Sequence, residues 1–450
     1  MKNTDLLHGR ISEQLMRFFW PIMFGSLFQQ LYNTVDAIVV GNYVGKQALG
    51  AVGGSTGTVI NLLVGFSVGL SSGATVIVAQ RFGRRDSEGV HHGVCSGMWL
   101  AVVLGLVFTA AAEVMAPYLL NLMNIPADIY PYSLLYFRIY MIGFVPSLIY
   151  NTGAGILRAI GDSKRPLYFL IAACIVNIIL DIVFVCAAHM DIFGVALATV
   201  IAQSVSCALT LFVLKHTDDM YRFELRELHY EPAVLKEILR IGMPTGIQSS
   251  LYGFANLVIQ AGINSHGTDI VAAYTAFGKI DAVFWNTSGA LGTAVLTFCG
   301  QNFGAGNIPR VKKGMRTAVV MYAIGAALIS LGCYVLGPFL YRLFTPEETV
   351  IREGVSILRF MCPYWAVFCF VEVYSQGMRA CGDTLMPMIM TTLGVGVLRV
   401  LWILLVPAET IYDTVLCYPV SWTVTSALFL AYYLSGIWLK RAEKARSAVQ

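Results

Sequence analysis

Long apolar runs broken by short polar stretches are the dominant pattern of this chain. Runs long enough to cross a hydrocarbon layer, which takes about 20 residues as a helix, recur over 15–42, 50–79, 93–122, 131–157, 166–189, 192–214, 236–264, 270–300, 313–340, 352–378, 386–406 and 412–438. Each predicts a transmembrane helix, and the expected fold is an all-α integral membrane protein of twelve such helices. Composition supports this, since 57% of the residues are hydrophobic and 12% charged, against roughly 25% charged in ordinary soluble domains. So few charges cannot cover a water-facing surface. The first nineteen residues carry Lys2, Asp5, Arg10, Glu13 and Arg17, and the apolar stretch that follows is longer than the core of a cleaved signal peptide. The ten cysteines are scattered through apolar segments without metal-ligand or disulfide spacing.

Charge changes the picture through its distribution more than its total. A formal net charge of +4 points to no acidic or nucleic-acid partner; the lipid bilayer and a small molecule are the partners expected, and the chain is expected to act as a monomer. Lys and Arg gather before the first run, at Arg81, Arg84 and Arg85, at Arg158, Lys164 and Arg165, between Lys215 and Arg240, at Arg310, Lys312, Lys313 and Arg316, and from Lys440 onward. With twelve spans, all these loops fall on one side. The positive-inside bias therefore predicts a multi-pass protein of the inner (plasma) membrane with both termini cytoplasmic.

The two halves repeat one another. Gln80-Arg81-Phe82-Gly83 is matched by Gln301-Asn302-Phe303-Gly304, and Arg158-Ala159-Ile160-Gly161-Asp162-Ser163 by Arg379-Ala380-Cys381-Gly382-Asp383-Thr384, both at a separation of 221 residues. Each half also opens with a proline, Pro21 and Pro244. Two lobes of six helices are predicted, residues 1–214 and 236–450, joined by a cytoplasmic linker at 215–235. An even number of spans per repeat relates the lobes by a pseudo-two-fold axis along the membrane normal, a plan common among secondary transporters.

Charged groups inside such spans cost on the order of 2.5–3.5 kcal/mol on insertion scales, so each needs a reason. Asp36 lies in the first span, and Asp181 follows Asn177 by four residues in the fifth, which puts both side chains on one helix face. Two carboxyls in a low-dielectric setting can share a proton or hold a small cation; they can also simply fix helix packing. Glu372 and Asp281 are further candidates as cavity or coupling groups, as are Gln29, Tyr32 and Asn151 as cavity-lining groups. Gly65, Gly69 and Gly73 recur every fourth residue, a close-packing signature. Gly41 to Lys46 departs from phosphate-loop spacing, and His91 and His92 lack further ligands at metal spacing.

At these residues the chain resembles the multidrug and toxic compound extrusion family, in the prokaryotic branch related to DNA-damage-inducible exporters. The resemblance covers the twelve spans, the duplicated half, the first-helix proline and acid, and the Gly-Asp-Ser or Gly-Asp-Thr loops. It implies a cation or proton site formed by Asp36, Asn177, Asp181 and Thr199, and a first helix that bends at Pro21. It also implies export of amphipathic, often cationic compounds against an inward flow of protons or sodium ions, with no other cofactor and no metal beyond that sodium. A lipid-linked oligosaccharide flippase of the same superfamily is the alternative, and an intramembrane enzyme a more remote one, since no convergent catalytic set is found. Moving the first-half site by 221 residues places Leu398, Trp402 and Val420 where Asn177, Asp181 and Thr199 stand. The two lobes are therefore expected to be unequal, with coupling concentrated in the first.

Overall fold

The computed structural model describes residues 6–123 and 125–447. Helices α1 to α12 cover Ile11–Val39, Gln47–Gly83, Ser87–Leu122, Tyr130–Ala159 (bent by 46° between Ile142 and Phe144), Lys164–Ala187, Asp191–Lys215, Pro232–Asn264, Thr268–Gly304, Ile308–Arg342, Glu348–Ala380, Leu385–Leu405 and Ile411–Ser435. A short α13, Ile437–Ser447, follows. No strand occurs among the described residues. Nine of these passes, counting the bent α4 as one, are long and apolar enough to span a membrane. The other three, α1, α7 and α10's neighbour α8, carry more polar residues, among them Gln29, Asn33 and Asp36, Gln248 and Gln260, and Lys279 and Asp281.

Why the passes belong in lipid is visible on α9. Ile324, Leu328, Leu331 and Val335 lie at intervals of four, three and four residues and are all exposed. That spacing makes one helical stripe, and an apolar stripe of this length on the outside calls for hydrocarbon around it.

The internal repeat is realised in backbone geometry. Asp86 caps α3 by accepting the Gly89 N–H, and Asn307 caps α9 by accepting that of Arg310. Just before these caps Arg85 has φ 60° and its counterpart Gly306 φ 76°, so the first half holds in arginine a conformation that suits glycine. Gly161 and Gly382, at φ 93° and 96°, reverse the chain in the two Gly-Asp loops. Asp162 then accepts the N–H groups of Lys164 and Arg165 at 3.1 Å each, while Asp383 accepts the Tyr432 hydroxyl at 2.7 Å.

Two compact units result, and their limits differ from the repeat boundary. Among the described residues one gathers Trp20–Gly246; the other gathers 6–19 and 247–447. The sequence places the division in the linker 215–235, yet the start of α7 belongs with the first unit and the start of α1 with the second. Packing explains the shift. In the first unit α2 and the start of α7 touch backbone to backbone: a Cβ on Gly69 would fall 2.7 Å from the Gly246 Cα, and one on Gly73 2.9 Å from the Gly242 nitrogen. Arg81 adds an ion pair to Glu237 at 3.1 Å. In the second unit Asn302 Nδ2 donates to the Leu6 carbonyl at 3.1 Å, and Arg310 donates to Gln14 Oε1 at 2.7 Å. Residues 1–5 and 448–450, the chain ends of the topology prediction, lie outside the described residues.

Candidate cation-coupling site

The first unit brings most of the predicted group together. Asp36 sits on α1, one turn past Tyr32; Asn177 and Asp181 sit one turn apart on α5; Thr199 sits on α6. Asp36 is 4% exposed, and Asn177, Asp181 and Thr199 are 0% exposed. The Asp36 carboxyl faces both the Asp181 carboxyl and the Asn177 amide. The Tyr32 hydroxyl faces Thr199, whose own hydroxyl donates to the Val195 carbonyl at 3.0 Å.

Hydrogen-bond accounting makes the group chemically unusual. Oδ1 of Asp36, both carboxyl oxygens of Asp181 and both amide atoms of Asn177 are buried with no protein partner of good geometry. Leaving one buried polar atom unpaired costs on the order of 1–3 kcal/mol, and here five stand side by side. Carboxylate oxygens only accept, so two facing carboxylates cannot satisfy one another. A proton shared between them, or a small cation among carboxyl and amide oxygens, supplies the missing donor or positive charge. The residues present fit either ion.

Local backbone marks the same place. The chain past α1 winds as a π-helix over Val40–Val44, and α5 does so over Ile182–Ala187, directly after Asp181. These two widened turns pack against each other. π-helical turns are costly insertions that recur at functional sites, and here each begins within a turn of one of the two acids.

Sequence reading missed two neighbours, Tyr136 and Tyr140 on α4. Both lie close enough to act electrostatically on Asp36, their rings are 5.9 Å apart, and the Tyr140 hydroxyl faces Gln203 of α6. Their spacing of four on a helix was the available signal, but tyrosine in a span reads as an apolar ring or an interface anchor.

The remaining candidates lie elsewhere. Pro21 is half-buried inside α1, which stays helical through it. Gln29 is exposed. Asn151 donates back to the Ser147 carbonyl of its own helix at 2.9 Å. Asp281 and Glu372 belong to the second unit. There Asp281 accepts the Trp285 indole N–H at 2.8 Å, and Glu372 accepts from Gln376 at 3.0 Å. A Cβ on Gly292 would collide with the Glu372 carboxyl, so that side chain is packed against α8.

Comparison with known proteins gives a consistent result. The MatE family model matches residues 21–183 and 244–404, one match in each half. Among curated proteins, the probable multidrug resistance protein YpnP of Bacillus subtilis is 29% identical over 401 residues, covering 89% of each chain. The probable multidrug resistance protein NorM of Thermotoga maritima is 23% identical, covering 98% of this chain and 96% of its own. Among solved structures, one described as an outward-facing conformation of a multidrug resistance MATE family transporter aligns with a TM-score of 0.90 at 22% identity, over 100% of this chain and 99% of that one. A MATE structure in a bent conformation aligns at 0.89 and 21% identity, over 100% and 99%.

Proposed function

The chain belongs to the MatE family, and from that premise we propose that it is a multidrug efflux transporter which exports amphipathic, cationic small molecules in exchange for protons or sodium ions by alternating access. The relatives named as multidrug resistance proteins, matched along nearly their whole lengths, support the efflux reading. The observation that carries the coupling is the buried pair Asp36 and Asp181, facing one another with three carboxyl oxygens that lack a partner of good geometry.

In this reading the inbound ion satisfies the carboxyl pair, and its release leaves two like charges whose repulsion favours the other state of the transporter. Asn177 supplies a neutral oxygen beside them, and Tyr32 carries the arrangement toward Thr199. Pro21, which cannot give its backbone N–H to the helix, is the point at which α1 yields. The flippase alternative draws on cationic groups in the second half, but Lys279 is exposed and Arg399 is engaged by Ser421 and two aromatic rings. The exporter reading places the protein in the plasma membrane with both termini cytoplasmic. Efflux of a fluorescent organic cation from proteoliposomes, with the proton and sodium gradients collapsed separately, tests it. Dependence on one gradient that Asp181→Asn removes is the expected result; export that survives loss of both gradients overturns the reading.

A further inference from the structure

A cleft of about 580 Å³ lies in the second unit, where the start of α1 meets the start of α9. Its walls include Gly9, Arg10, Ser12, Arg310, Lys313 and Thr317, and no acidic residue lines it. The turn that forms one wall is built. Gly9 has φ 90°, a conformation unfavourable to residues with a Cβ, and its carbonyl accepts from the Arg310 guanidinium at 3.1 Å while the same group holds Gln14 at 2.7 Å. Arg310 also lies over the Phe298 ring at 5.4 Å. Arg310 is thereby fixed as scaffold, while Arg10 and Lys313 have no ion-pair partner among the described residues. The nearest acid on the same turn, Glu13, is turned to Arg17 at 3.5 Å. The opening N–H groups of α1, at Ile11 and Ser12, precede the first intrahelical acceptor.

Basic residues gather on one face of any membrane protein, and that alone makes no site. Here they converge on a concave surface with a fixed turn, the Ser12 hydroxyl, and depth along α9. That helix of 35 residues is about 52 Å long at 1.5 Å per residue. The hydrocarbon core is about 30 Å thick and the exposed apolar residues of α9 begin only at Val320, so its first turns belong to the headgroup layer. We infer that this cleft is a binding site for a phosphate group, held by Arg10 and Lys313 with Ser12 as a hydroxyl donor, and that the phosphate is the headgroup of an anionic lipid. The site is separate from the carboxyl pair and does not depend on how transport is coupled.

Native mass spectrometry and thermal unfolding of the purified protein, titrated with phosphatidylglycerol against phosphatidylcholine, test the inference. Each basic residue beside anionic headgroups contributes on the order of 1 kcal/mol, so Arg10→Gln with Lys313→Gln is expected to weaken retention of phosphatidylglycerol about thirtyfold. Lys312→Gln, which removes an equal charge from the adjacent exposed position, is expected to leave it unchanged, and Lys313→Arg to preserve it. A parallel titration with inorganic phosphate in neutral detergent distinguishes the sources: protection by soluble phosphate that needs the same two residues supports the phosphate site but assigns it a water-borne ligand. Equal losses from Lys312→Gln and Lys313→Gln, or phosphatidylglycerol binding no tighter than phosphatidylcholine, overturn the proposal. All these variants lie on exposed positions outside the helix core, and their unliganded melting temperatures report whether folding is intact.

Discussion

The two halves share caps, turns and loop geometry, yet their polar interiors are of opposite character. In the first, two carboxyls face each other with oxygens left over. In the second, one residue past the counterpart of Asn177, Arg399 is 4% exposed and held in place: its Nε donates to Ser421 Oγ at 2.9 Å, and its guanidinium lies 4.3 Å from the Tyr418 ring centre and 5.9 Å from that of Trp422. Around it Phe284 stacks on Trp365, and Trp285 meets Phe368 and Trp422. Trp402, the counterpart of Asp181, spends its indole N–H on the Asp413 carbonyl at 2.8 Å. Two facing acids with surplus acceptors gain from an added ion, whereas an arginine held by a hydroxyl and two rings does not. On the function proposed above, ion exchange belongs to the first half and the second half is its wall.

The sharpest way to break that assignment is Asp181→Asn or Asp36→Asn. Each keeps the side-chain shape but cannot exchange a proton in the same way, so gradient-driven efflux from proteoliposomes should fall to the level of protein-free vesicles while expression is retained. Normal coupling in both variants would reverse the roles of the halves. Next in size is Arg399→Met. A hydrogen bond to a charged group contributes about 1.5–3 kcal/mol and a desolvated cation over a ring about 2 kcal/mol, so unfolding in detergent should require about 3–5 kcal/mol less, with the residual transport still responding to the ion gradient.

How far these assignments were legible in the sequence depends on the kind of interaction. Spans, repeat and the acids could be read because a bilayer penalises polarity so heavily that Asp36 and Asp181 stand out, and because Asn177 and Asp181 are neighbours on one helix. Tyr136 and Tyr140 could not, since their place beside Asp36 depends on which helices meet in the folded unit, which no apolar run discloses. The widened turns after both acids were equally hidden, because an inserted π turn changes hydrogen-bond register without changing composition. The exchange of helix starts between units escaped for another reason: at α7 it rests on Gly69, Gly73, Gly242 and Gly246, whose spacing shows that helices come close but not which ones, and at α1 on bonds from the distant Asn302 and Arg310.

Smaller effects refine the comparison. Tyr140→Phe and Tyr136→Phe remove a hydroxyl from the surroundings of the acid pair while keeping the ring. A neutral hydrogen bond contributes about 1 kcal/mol, so efflux should slow about fivefold with its gradient dependence preserved, read as initial rates across a pH series. Glu372→Gln should do least. The amide can retain the contact with Gln376, and both melting temperature and gradient response should match the parent protein. Loss of coupling in this variant, with Asp181→Asn tolerated, would move ion exchange to the second half.

The crossed ownership of the helix starts has a consequence for biosynthesis. Leu6 and Gln14 are among the earliest residues to leave the ribosome, but their partners Asn302 and Arg310 are made nearly three hundred residues later. At roughly 5–20 residues per second the opening of α1 waits on the order of 15–60 s for its binding surface, while the start of α7 finds α2 already in place. The nascent chain therefore completes its first unit around a borrowed segment and its second around one kept in reserve. A ribosome-stalled series should show the first nineteen residues open to protease until Arg310 has emerged.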